Sequence, residues 1–134
     1  MATDQDLADE LVGTIRTWVR KDVLPVASDL EHADAYPEAL VAQMREFGLF
    51  GATIPAEYGG LDLDVMTYAR IIEELAYGWM TLSGVLNTHM IASNLIKRFG
   101  TEEQRARWLP RLATGEVRAA FSLSEPDAGS DAGG

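Results

Sequence analysis

Leu7, Leu11, Ile15 and Trp18 recur at steps of four and three, which places them on one face of an α-helix. Val12, Val19 and Val23 widen that stripe, so a helix is predicted from Asp4 to Leu24. Its acids Asp4, Asp6, Asp9 and Glu10 precede its bases Arg16, Arg20 and Lys21, an order that complements the helix dipole. Pro25 either ends this helix or starts a new turn.

The same logic continues along the chain. In "DAYPEALVAQMREFGLFG", Leu40, Val41, Met44 and Phe47 form a second stripe, Pro37 suits a first turn and Gly48 a C-terminal cap. "GATIPAEYGG" reads as a loop. Asp64 can cap a third helix carrying Val65, Tyr68, Ile72 and Leu75, and the pattern breaks from Tyr77 to Thr81. A fourth helix is predicted from about Leu82 to Phe99, with Val85, Leu86, His89, Met90 and Ile96 in phase and Gly100 as its stop. "TEEQ" at Thr101–Gln104 is a capping box for a short fifth helix, which Pro110 should kink or segment.

After "ATGE" the period changes to two. Val117, Ala119, Phe121 and Leu123 alternate with Arg118, Ala120 and Ser122, the pattern of a β-strand. The expected architecture is therefore an all-α bundle with one terminal strand. A lone strand leaves its amides and carbonyls unpaired, which points to a β domain beyond it.

With 134 residues, 47% of them hydrophobic, the chain can bury one core. It has no Cys, so disulfide and thiolate chemistry are excluded. A formal net charge of -10 argues against nucleic-acid binding. The basic cluster Arg105, Arg107 and Arg111 reads as a solvated helix face. The acidic start "MATDQDLADE" fits neither a secretory signal nor a transit peptide, and no window approaches the ~20 apolar residues of a membrane span. A cytoplasmic location is expected. No His, Cys or carboxylate spacing suggests a metal site, and His89 on its apolar face reads as a packed polar residue.

The stretch "SEPDAGSD", Ser124 to Asp131, is too structured for a linker. It offers backbone groups, the Ser124 hydroxyl, a Pro-initiated turn, and Gly129 beside the Ser130 hydroxyl. Amides around a Gly can cradle an anion, and a planar heterocycle with amide-like edges can pair with the strand. "AFSLSEPDAGSDAGG" resembles the signature segment of the acyl-CoA dehydrogenase family. "GLFGATIPAEYGGLDLD" and "KRFGTEEQRARWLPRLATGEVRAAFSLSEP" resemble its earlier loop and the run into its middle β domain.

That resemblance implies an FAD-dependent oxidoreductase of fatty acid β-oxidation. A carboxylate base removes the α proton of an acyl-CoA thioester while the β hydrogen leaves as hydride to the flavin, and an electron-transfer flavoprotein takes the electrons. It further implies a helical domain over 1–116 and the start of a β domain over 117–134. Phe121, Leu123 and Ser124 would meet the flavin ring by main chain and hydroxyl. Gly129 and Ser130 would meet the FAD pyrophosphate, and Ser130 also the acyl-CoA. Leu82, Val85, Leu86 and Met90 border the acyl chain or simply pack the core, whereas Glu125 and Asp131 hold the turn. Ser122 stands where the family usually has Gly, Ala or Cys. No catalytic residue is assigned in this chain, because the family's base usually comes from a later domain. Homo-oligomers, commonly tetramers, are implied. Two other readings stay open: a non-catalytic helical or partner-binding module, and an acyl-CoA oxidase or flavin monooxygenase on the same scaffold.

Overall fold

In a computed structural model, which describes residues 4–131 and 133, the chain is a helical bundle. Its helices are α1 (Asp4–Trp18), α2 (Leu24–His32), α3 (Glu38–Glu46), α4 (Val65–Gly78), α5 (Met80–Phe99) and α6 (Glu102–Ala113). The apolar stripes read from the sequence meet in one core of Val12, Ile15, Trp18, Val19, Val23, Leu40, Val41, Met44, Phe50, Ile71, Leu75, Leu82, Leu86 and Met90. A second cluster, Ile54, Leu109, Leu112 and Ala113, lies under α6, and Val117 and Ala119 pack against it.

Pro25 does not end the first helix. A π-helical segment, Val19–Val23, joins α1 to α2, and the Leu24 amide donates to the Val19 carbonyl, five residues back. Pro25 then sits in the first turn of α2. Likewise α6 passes through Pro110 undivided: Leu109 and Leu112 are buried on either side of it and hold the last turn.

Where caps were expected, they form. Asp64 Oδ1 accepts from the amides of Met66 at 2.8 Å and Thr67 at 3.0 Å. Thr101 and Gln104 complete a reciprocal capping box at α6. Gly48 ends α3 in the left-handed region at φ 72°. The loop after α3 holds two short 3-10 turns, Leu49–Gly51 and Ala56–Tyr58.

The terminal strand expected at Val117–Leu123 is corrected: among the described residues there is no strand. Residues 118–124 carry neither helix nor ladder. The inward alternation survives at its start, where Val117 and Ala119 are half-buried while Arg118 and Ala120 are exposed. Among the described residues there is no sheet edge to pair with it, and alternation alone cannot make a strand. The sequence ends Ala132 and Gly134 lie outside the described residues.

Candidate functional site

The segment leaving α6 is anchored before it is presented. Gly115, at φ 68°, turns the chain after α6, and a Cβ there would lie 3.0 Å from the Phe50 ring. Three contacts then fix the next residues. The Val117 amide donates to the Arg111 carbonyl at 3.2 Å. The Ala119 amide donates to Nδ1 of His89 at 3.2 Å. Arg118 stacks over the Tyr36 ring, 5.4 Å from its centroid, and donates to the Tyr36 hydroxyl.

His89 sits deep in the bundle at 1% exposure. Its Nε2 lies 3.1 Å from the Phe50 carbonyl and 3.2 Å from the Leu112 carbonyl. Two carbonyls accept only from an N–H, while an amide donates only to a lone pair. These contacts therefore define the neutral tautomer protonated at Nε2. Burial holds the imidazole below its ordinary value of 6.5, and the positive charge of Arg118 works in the same direction against the partial opposition of the two carbonyls. The Phe50 ring meets the imidazole edge-on at 5.0 Å. The apolar face predicted a packed polar residue here, and His89 is one. Its long-range partners carried no signal in the sequence.

Beyond Ala119 the chain is open. Phe121 and Leu123 are 46% and 49% exposed, and Ser122 and Ser124 are exposed. Among the described residues no main-chain hydrogen bond engages 120–124. The motif then closes a tight turn around Pro126 and Asp127. Glu125 and Ala128 exchange both bonds, with N–H to O distances of 2.7 Å and 3.3 Å. Gly129 is half-buried and Ser130 exposed. Only the Ser124 hydroxyl oxygen, at 3.9 Å, lies near the position a Cβ on Gly129 would take. Neither crowding nor backbone conformation inside the chain requires glycine there.

The remaining sequence candidates lie elsewhere. Leu82, Leu86 and Met90 are fully buried in the main core and Val85 is partly so. Of the basic cluster, Arg105 pairs with Glu102 at 3.2 Å, Arg111 pairs with Glu116 at 2.9 Å, and Arg107 lies over the Trp108 ring. Further polar contacts escaped the sequence. Lys97 donates to the Thr53 carbonyl at 2.8 Å, and the Trp79 indole donates to Glu31.

The acyl-CoA dehydrogenase N-terminal domain model matches residues 5–116. The chain belongs to the acyl-CoA dehydrogenase family. It is 38% identical over 120 residues to an acyl-CoA dehydrogenase of Bacillus subtilis, covering 89% of this chain and 32% of that protein. Its fold superposes on butyryl-CoA dehydrogenase from Megasphaera elsdenii with a TM-score of 0.87 at 29% identity, over 98% of this chain and 35% of that one. On an acyl-CoA dehydrogenase from Bacillus anthracis, solved in complex with FAD, the TM-score is 0.81 at 36% identity, over 98% of this chain and 24% of that one. The chain thus spans about a third of the length of the first curated relatives it matches. Among the described residues no helix is long and apolar enough to cross a membrane.

Proposed function

We propose that this chain supplies the helical domain (1–116) and the first flavin-facing segment (117–134) of an FAD-dependent acyl-CoA dehydrogenase. One observation carries the reading: the main chain of 120–124 is unpaired and exposed, directly after an anchor at Ala119. Exposed and held by no ladder, these backbone groups are free to exchange water for a ligand. A flavin's pyrimidine edge carries amide-like donors and acceptors that match them, so the residues present fit the group.

In this reading Phe121, Leu123 and Ser124 hold the ring edge by main chain, with the Ser124 hydroxyl as an added donor. Gly129 lets the pyrophosphate approach the backbone closely, and Ser130 donates to it and to the acyl-CoA. Leu82 and Leu86 back the acyl-facing wall from within the core. Bound FAD supplies the hydride acceptor for α,β-dehydrogenation of the thioester. No carboxylate of this chain is assigned as the base. An electron-transfer flavoprotein is the proposed electron acceptor and a homo-oligomer the proposed assembly.

The test is an FAD titration of the chain followed by amide-resolved NMR. The expected outcome is weak binding, with Kd above ~1 µM or about -8 kcal/mol, because one edge of a site is in hand. Shifts should concentrate between Phe121 and Ser130. Shifts confined to the helices would overturn the reading.

A further inference from the structure

We infer that His89 is the positioning residue of the flavin-facing segment: its Nδ1 lone pair takes the Ala119 amide and fixes where the main chain of 121–124 is presented. This rests on the flavin reading above.

The argument is one of geometry. Residues 117–124 have no ladder to hold them, so their direction depends on the few contacts at their root. Besides apolar packing, those contacts are three, the first being the Val117 amide on the Arg111 carbonyl at 3.2 Å, two residues before Ala119. The Arg118–Tyr36 contact is at the surface and belongs to a flexible side chain. The Ala119–His89 bond belongs to the backbone itself and ends on a ring that cannot swing. That ring is buried at 1% exposure, carried by the middle of α5, and pinned at its far nitrogen by carbonyls from two different elements. Turning the ring to offer Nδ1 elsewhere would take its donor from the Phe50 carbonyl, leave the Leu112 carbonyl with the Gly115 amide alone, and strip the half-buried Ala119 amide of its acceptor, a costly exchange. A histidine is suited to this task because one ring donates on one side and accepts on the other. Ala119 is two residues from Phe121, so a shift at the anchor reaches the proposed ring contacts directly.

Nitrogen-15 NMR of the chain tests this. The wild type should show Nε2 protonated, Nδ1 bare, and a through-hydrogen-bond coupling between the Ala119 nitrogen and Nδ1. In His89→Leu, which removes the acceptor, exchange of the Ala119 amide should speed about tenfold, the size of one neutral hydrogen bond. His89→Asn, whose amide oxygen can approach the Nδ1 position, should recover part of that loss. The Kd for FAD should follow the same order, highest in His89→Leu. An Nδ1-protonated ring or an absent coupling in the wild type overturns the proposal, and this measurement stands even if His89→Leu does not fold. An FAD affinity unchanged in variants that have lost Ala119 protection also overturns it. If coupling and exchange behave as expected while FAD moves no amide between 121 and 130, the flavin reading falls and the anchoring role of His89 is supported.

Discussion

Gly78, the last residue of α4, meets Val19 so closely that a Cβ on Gly78 would lie 2.4 Å from Val19 Cγ1. The same atom would stand 3.2 Å from Val23 Cγ1. Both valines are fully buried, so neither can swing into solvent to make room. Gly78→Ala should destabilise the bundle by about 1–3 kcal/mol, the usual cost of overpacking. Urea denaturation measures it. Adding Val19→Ala should recover part of the loss, with a coupling of about 0.5 kcal/mol or more in the double-mutant cycle. Strict additivity would mean that the two do not meet.

Stability should fall in mild acid through His89. Its folded pKa lies below the ordinary 6.5, so between the two values the unfolded chain binds the extra proton. The contribution is complete above about pH 6.5 and is lost as pH drops toward the folded value. The charged group whose field reaches the ring is Arg118, and it opposes protonation in the same direction. Melting curves from pH 7 to pH 5 should show a steeper decline for the wild type than for His89→Asn. Parallel slopes would remove His89 from the account.

Thr101→Ala should cost about 1 kcal/mol, the typical value of an N-cap. Thr101 Oγ1 accepts from the Gln104 amide at 3.2 Å, and Gln104 Oε1 accepts from the Thr101 amide at 2.8 Å. The loss falls on α6, so amide exchange in the first turn of that helix should rise before exchange in α5 does.

Ser130→Ala should weaken FAD binding more than Ser124→Ala. A hydrogen bond to a charged group is worth about 1.5–3 kcal/mol, and a neutral one about 0.5–1.5 kcal/mol. Titration of both variants decides between them. The reverse order would place the phosphate at Ser124 and turn the motif end for end.

What the sequence disclosed was local. Asp64, Thr101 with Gln104, and Gly48 act within a few residues of themselves, so their types and spacing suffice to predict the caps. The apolar stripes likewise declare which face goes inward. Three features stayed hidden because their causes are distant in sequence. The His89 anchor joins residues 39, 23 and 30 positions away. The path through Pro25 depends on Val19 and Val23 packing against α4, which no local rule contains. At Val117–Ala120 the alternation tells which side faces inward but cannot make a strand, since a strand is a property of two paired segments. For the candidate site, the motif names Ser124, Gly129 and Ser130, but nothing in it reveals that Arg118 reaches Tyr36.

The π segment Val19–Val23 acts as a phase adjuster between α1 and α2. Each helical residue turns the chain by about 100°, and a turn closed from five residues back instead of four spends one residue more. Were Val19–Val23 to wind as an ordinary α-helix with no residue removed, α2 would be rotated by about that angle. Glu31 would then point away from Trp79, and the Tyr36 ring that carries Arg118 would move with the end of α2. The aim of a segment near residue 120 is in this sense geared to the winding of a helix near residue 20.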